Sequence, residues 1–219
     1  MTTALRRHGP FGVARIGVGA ARDALGPALR LHETHVWYEL DLATPEAPAP
    51  PGGLVVRRAL REEVGLLNEI PATGVRRARG LLERGGTLWL AFLEERPAFS
   101  CWTWLADTPL RAAHGGWLAL PEGVACLEDS VTAEPFRGLG VAPAAWGVVA
   151  VALRARGAES LVTKVGEDNA PSRRAVEKAG FVAVATMRTD RTWPRSRVRV
   201  SDPATPAARA LASRLERRF

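Results

Sequence analysis

Cysteine is almost absent from this chain, which removes two kinds of scaffold at once. Only Cys101 and Cys126 occur in 219 residues. That is too few for a disulfide framework, and neither sits in a CxxC or at ligand spacing from a histidine, so no metal is expected. Both read as small buried apolar side chains in a reducing, cytoplasmic setting. Long apolar runs are also lacking: nothing approaches the roughly 18 uninterrupted apolar residues of a spanning helix. Arg15 and Arg22 interrupt what would be the apolar core of a signal peptide behind Arg6 and Arg7. Two phosphate fingerprints are missing, since there is no GxxxxGK[ST] and no GxGxxG with an acid about 20 residues on.

Lysine and tyrosine are scarce. Of 30 basic residues only Lys164 and Lys178 are lysine, and Tyr38 is the single tyrosine. The formal charge of +7 first suggests a polyanionic partner. Its distribution argues otherwise: residues 1–53 net 0, residues 54–187 net +1, and residues 188–219 net +6. Arginine in place of lysine, beside abundant alanine, reads as codon bias, so nucleic acid is not an expected partner. With 47% apolar residues the chain can bury a sizeable core without cross-links.

The stretch Thr44 to Gly53, TPEAPAPPGG, lacks apolar periodicity and reads as an exposed linker or strap. It divides the chain into an N-terminal extension over 1–53, a main domain over 54–200 and a basic C-terminal helix over 201–219. In the extension, Phe11 to Leu31 allows a small amphipathic helix. His35 to Leu42 alternates as a strand does, with either a sheet edge or another subunit as partner. Beyond the linker, strands are expected over Leu54–Ala59, Thr87–Leu93, Ala98–Leu105, Val124–Thr132 and Ser160–Val165, and again after Gly180. Helices are expected over Arg61–Ile70, Thr73–Arg84, Val141–Arg156 and Pro171–Ala179, and a loose region over His114–Pro121. Antiparallel strands followed by strand, helix, strand, helix and strand predict an α/β fold with a mixed, mainly antiparallel central sheet flanked by helices.

The most informative stretch is LEDSVTAEPFRGLGVA, Leu127 to Ala142, a strand that enters a glycine-containing loop and then a helix. Gly138 and Gly140 let the backbone approach an anion, and the amides from Arg137 through Gly138, Leu139, Gly140 and Val141 to Ala142 collect at a helix N-terminus, where the dipole favours negative charge. A pyrophosphate suits such a loop. The spacing Arg137-x-x-Gly140-x-Ala142 resembles the acetyl-CoA pyrophosphate loop of the GNAT acetyltransferase superfamily. Asn169-Ala-Pro-Ser172 followed by Glu177-Lys-Ala-Gly-Phe181 resembles that family's next motif, in the right order.

The resemblance spans about residues 54–200 and implies a sheet splayed at the acyl-CoA-binding strands, with acetyl-CoA as cosubstrate. It implies that the backbone of Ser130, Val131 and Thr132 lies along the pantetheine arm, one amide polarising the thioester carbonyl, and that Asn169 and Ser172 meet the pantetheine or thiol end. Glu128, nine residues before Arg137, is the candidate base for a small-molecule or peptide amine acceptor. By strand alternation Glu128 shares a face with Cys126 and Ser130, and Asp129 faces the other way, unless a bulge resets the count. The plain alternative has Glu128 and Asp129 paired with arginines.

The family's tyrosine acid has no equivalent, because Val176 occupies its position. The thiolate then takes its proton from water or Ser172, or the chain is a non-catalytic CoA-binding or regulatory module. His114 reads first as a loop histidine, Trp102 and Trp104 as core before acceptor platform, and Cys126 as buried rather than nucleophilic. Leu211, Leu215 and Phe219 form one stripe of a docking helix, with anionic lipid or a partner as the other reading of its arginines. A second copy of the chain is a candidate partner.

Overall fold

The computed structural model describes residues 31–44, 48–70, 74–110, 116–192 and 195–219. Its strands are β1 (Leu31–Asp41), β2 (Val55–Arg58), β3 (Thr87–Leu93), β4 (Arg96–Trp104), β5 (Asp107–Pro109), β6 (Trp117–Ala119), β7 (Val124–Thr132), β8 (Ser160–Gly166), β9 (Val182–Thr192) and β10 (Arg195–Ser201). The α-helices are α1 (Val75–Glu83), α2 (Val141–Arg154), α3 (Ala170–Lys178) and α4 (Pro206–Glu216). Eight strands form one sheet in the order β10-β9-β1-β8-β7-β4-β3-β2, and β5 pairs with β6 separately. Every neighbouring pair in the large sheet is antiparallel except β7 with β8. This is the mixed, mainly antiparallel α/β architecture expected from the order of elements.

The strand expected over His35–Leu42 is present as β1, and its partners are neither a sheet edge nor another subunit. It lies inside the sheet, antiparallel to β8 on one side and β9 on the other. Its successive side chains serve opposite faces. The Tyr38 hydroxyl donates to Glu177 Oε1 at 2.9 Å and accepts from Arg173 Nε at 3.0 Å, both on α3. Trp37 faces the other way, towards Leu211 and Leu215 of α4. Helices α2 and α3 therefore cover one face, and α4 with the β5–β6 hairpin covers the other.

Local sequence explains most boundaries. Helix α2 begins at Gly140, whose φ of 79° is left-handed, and Pro143 falls in its first turn, where a missing amide costs no helical bond. Asn169 caps α3 by accepting from Ser172 N at 3.3 Å. Thr205 caps α4 by accepting from Ala208 N at 3.1 Å, and its hydroxyl also meets Glu39 of β1. The helix expected over Arg61–Ile70 is a 3-10 segment over Arg61–Asn68. Gly65 weakens helix propensity there, and Glu63 is drawn back to Leu60 N at 2.8 Å and to the Arg57 guanidinium.

The region expected to be loose, His114–Pro121, contains β6, which pairs with β5 ahead of that region; three-residue strands are too short to show a period. His114 lies outside the described residues, as do residues 11–30 of the helix expected over Phe11–Leu31 and residues 45–47 of the linker. The docking reading of the C-terminal stripe fits: Leu211 and Leu215 are buried, whereas Phe219 is 37% exposed. The arginines near it hold backbone. Arg214 Nη1 donates to the carbonyls of Ala119 and Leu120 at 3.1 and 2.9 Å, and Arg218 Nη1 to that of Trp117 at 2.6 Å. They fasten the hairpin to α4. Among the described residues no helix is long and apolar enough to cross a membrane.

Candidate functional site

The parallel ladder between β7 and β8 is short. It joins Val124 with Ser160, Ala125 with Leu161 and Cys126 with Val162, and then stops. A side chain makes the last link, Thr163 Oγ1 donating to the Leu127 carbonyl at 2.9 Å. Beyond that point β8 stays paired with β1 as far as Gly166, and β7 stays paired with β4 as far as Thr132. Each strand follows its outer neighbour, so the sheet opens into a fork at the carboxyl ends of both strands. One edge of Glu128–Thr132 consequently faces the opening. The burial of β7 changes at the same place, from fully buried over Val124–Leu127 to half-buried or exposed beyond.

A bulge sits at the mouth of the fork. Trp102 faces Glu128 and Ser100 faces Val131, so two residues of β7, Asp129 and Ser130, oppose the single Cys101. Asp129 takes φ of 55° to make the extra step. This corrects the simple alternation: Glu128 and Ser130 do not share a face. The Ser130 hydroxyl accepts from Trp146 Nε1 of α2 at 3.1 Å, whereas Glu128 and Cys126 line a cavity on the α4 side. Trp146 is itself wedged edge-on against Phe99 and Phe181, each 6.1 Å away. That packing supports the β7 segment beyond the fork.

Glu128 is paired with Lys164 of β8 rather than with an arginine. The two side chains, 11% and 20% exposed, meet across the opening just past the last ladder pair. Lys164 could not be matched to Glu128 from sequence, because the partners lie 36 residues apart and meet only through the strand register. Cys126 lies beside the pair, and burial first, then the negative charge of Glu128, pushes its thiol up to about 12. A thiol held protonated is no nucleophile. Trp102 and Trp104 are buried and stacked on each other at 6.3 Å, outside the cavity, so their plain reading as core stands.

At the open end of the fork two helix N-termini follow the two strands. After β7 comes a 3-10 turn over Glu134–Phe136, and then Arg137, whose Nε donates to the Thr132 carbonyl at 3.3 Å. Gly138 and Gly140 have φ of 81° and 79°, and a methyl group on either would meet nothing within 4 Å. Backbone conformation, not crowding, demands glycine there. No side chain caps α2, so the first-turn amides of Val141 and Ala142 have no side-chain acceptor there. This arrangement fits a diphosphate. Lys178 and the proline strap Pro48–Pro51 line the same recess as Gly138, Leu139 and Gly140. After β8, Asn169 and Ser172 begin α3. The fork thus brings Glu128, Ser130, Val131, Thr132, Arg137, the glycine loop, Asn169 and Ser172 around one opening.

Val176 is buried in α3, so the family's tyrosine position carries no proton donor. Tyr38, fully buried, reaches the same helix from β1 and is held there by Glu177 and Arg173. Among the described residues no group of three or more His, Cys, Asp or Glu side chains could hold a metal ion.

Comparison with known proteins points to one family. The GNAT acetyltransferase family model matches residues 71–181. Among solved structures, an acetyltransferase described as of the GNAT family from Novosphingobium aromaticivorans DSM 12444 superposes with a TM-score of 0.53 at 17% identity, over 75% of this chain and 66% of that one. A GCN5-related N-acetyltransferase from Kribbella flavida gives a TM-score of 0.53 at 18% identity, over 88% and 66%. One from Sphaerobacter thermophilus gives 0.51 at 18%, over 79% and 56%. The chain thus spans no more than about two thirds of the length of these proteins, and at such identities the likeness is one of fold. No curated protein matches the sequence. With the family model covering half of its length, the chain belongs to the GNAT acetyltransferase family.

Proposed function

We propose that this protein transfers an acetyl group from acetyl-CoA to an amine, by direct attack in a ternary complex at the β7–β8 fork. The observation that carries the reading is the glycine loop at the open end of the fork, which lines a recess with Lys178 and leads into α2 without a side-chain cap. Lys178 and the first-turn amides of α2 hold the pyrophosphate, and Arg137 fixes the loop through Thr132. The pantetheine arm lies along the free edge of Ser130–Thr132 and extends the sheet by hydrogen bonding, as an added strand would. Asn169 and Ser172 meet its far end.

The chemistry follows from the groups on the two sides of the opening. A neutral amine attacks the thioester carbon, the N–C bond forms, and charge collects on the carbonyl oxygen, which a β7 amide stabilises. Glu128 takes the amine proton, directly or through one water. The C–S bond then breaks and the thiolate leaves, protonated by water or by Ser172, because Val176 offers nothing. Lys164 holds the Glu128 carboxylate at the opening.

Calorimetric titration with acetyl-CoA, followed by turnover with an amine panel, tests the reading. Glu128→Gln is expected to bind acetyl-CoA normally and to lose about 100-fold in turnover. Equal activity of the two proteins removes Glu128 as base. Binding of CoA with no turnover of any amine favours the other reading, a CoA-binding regulatory module, which the missing tyrosine motivates.

A further inference from the structure

The cavity that receives Glu128 is closed by elements far apart in sequence. Trp37, Val162, Met187 and Val198 form its floor on the sheet, and Leu211 and Leu215 of α4 form its roof. The β5–β6 hairpin makes one wall through Leu118 and Leu120, held to α4 by Arg214 and Arg218. Among the described residues, Glu128 and Lys164 are the only charged side chains in the lining, and they are paired with each other. The described walls are otherwise apolar apart from Thr108, Thr163, Thr189 and the indole nitrogen of Trp37.

Three of those polar atoms are orphaned. Trp37 Nε1, Thr108 Oγ1 and Thr189 Oγ1 are buried without a hydrogen-bond partner among the described residues, on side chains 8%, 5% and 1% exposed. A buried donor left unsatisfied costs free energy that a suitably placed ligand oxygen removes. Trp37 and Thr189 lie on the floor of the same cavity, Trp37 opposite Lys164 in the β1–β8 register, and Thr108 lies on the hairpin wall.

We propose that this cavity is the acceptor site, and that its acceptor is a primary amine on an apolar body carrying one uncharged oxygen. The inference rests on the acyl-transfer reading of the fork and specifies its second substrate. The amine lies at Glu128, at the end of the cavity that opens on the fork. The apolar body fills the space between the sheet and α4, and the oxygen accepts from Trp37 and pairs with Thr189. Charge excludes the alternatives. Glu128 and Lys164 neutralise one another, so among the described residues the lining has no spare carboxylate for the second ammonium of a polyamine and no spare cation for the carboxylate of an amino acid. Either group would be buried unpaired. A sugar amine would bring several hydroxyls to walls that offer few partners.

Tyramine, phenethylamine, phenylalanine, spermidine and glucosamine serve as probes, with acetylated product read by mass spectrometry and binding read by tryptophan fluorescence. Tyramine is expected to be acetylated with the highest kcat/KM and phenethylamine next, both at least 10-fold above the other three. Thr189→Val is expected to raise the tyramine KM several-fold and to shrink its advantage over phenethylamine. Preferential turnover of phenylalanine, spermidine or glucosamine overturns the inference and leaves the acyl-transfer reading intact. If acetyl-CoA does not bind, that reading falls, and the cavity is judged on fluorescence alone. Tyramine quenching weakened by Thr189→Val then supports the assignment, and no quenching, or quenching unchanged by the substitution, overturns it. A Thr189→Ser variant retains the hydroxyl and is expected to restore the tyramine preference, which separates loss of a hydrogen bond from loss of packing.

Discussion

Glu128 of β7 and Lys164 of β8 are joined across the opening where their strands part, two residues past the last ladder pair of Cys126 with Val162. The pair closes the fork towards α4 while the other side remains open to the glycine loop. Removing only the cation leaves a carboxylate in a mainly apolar cavity. Lys164→Met is therefore expected to destabilise the fold by about 1–3 kcal/mol, below the full cost for a deeply buried pair because both groups keep some solvent contact. Urea denaturation of wild type, Lys164→Met and the double variant with Glu128→Gln measures this. The double variant should recover part of the loss, and additive losses would mean that the pair is not coupled.

The glycine loop makes a separate prediction about cofactor affinity. Gly140 holds a left-handed φ with open space where a side chain would stand. Gly140→Ala is thus expected to cost about 1 kcal/mol through backbone strain alone. It should also weaken acetyl-CoA binding about 10-fold, as the loop amides turn away. Calorimetry reads the affinity and thermal denaturation the stability, and an unchanged dissociation constant would remove the loop from the cofactor site.

Tyr38 ties β1 to α3 by donating to Glu177 and accepting from Arg173. Burial raises its pKa above 10.0, so it stays a neutral donor. Tyr38→Phe removes both bonds to charged partners and is expected to lower stability by about 1–3 kcal/mol. If it instead reduced turnover with no change in stability, Tyr38 would have to be considered a proton donor in place of the missing residue at position 176.

Arg214 carries a prediction about the wall of the cavity. Its two bonds to the Ala119 and Leu120 carbonyls hold the β5–β6 hairpin on α4. Arg214→Ala should cost about 1–2 kcal/mol and expose the segment near residues 105–120 to limited proteolysis. Cleavage there at the wild-type rate would show that the apolar contacts suffice.

Stability in acid reports on Glu63. The Arg57 guanidinium, and next the Leu60 amide, hold its pKa at about 2 against 4.5 in the unfolded chain. The folded state favours the charged form, so this contribution is complete above pH 4.5 and is lost as pH falls towards 2. The advantage of wild type over Glu63→Gln in thermal denaturation should shrink across that window. A difference independent of pH would place the effect of the substitution elsewhere.

The sequence by itself determined the parts of this protein that depend on neighbouring residues. Strand Val124–Thr132, the helix beginning at Val141 and the two positive-φ glycines between them are local events, set by side-chain period and by the steric freedom of glycine. They sufficed to locate the glycine loop proposed to hold the cofactor. The C-terminal stripe, with Leu211 and Leu215 inward, was legible for the same reason. Tertiary structure decided what depends on pairing at a distance. The entry of β1 into the sheet between β8 and β9 was not legible, because its ladder partners lie at least 119 residues away, where periodicity carries no information. The bulge at Asp129 moved Ser130 off the face of Glu128, since one extra residue on β7 opposite Cys101 reverses every later side chain. Lys164 became the partner of Glu128 through strand register. The +6 of the tail acquired a use in the same way: two of its arginines bind hairpin carbonyls, because folding places those acceptors within their reach.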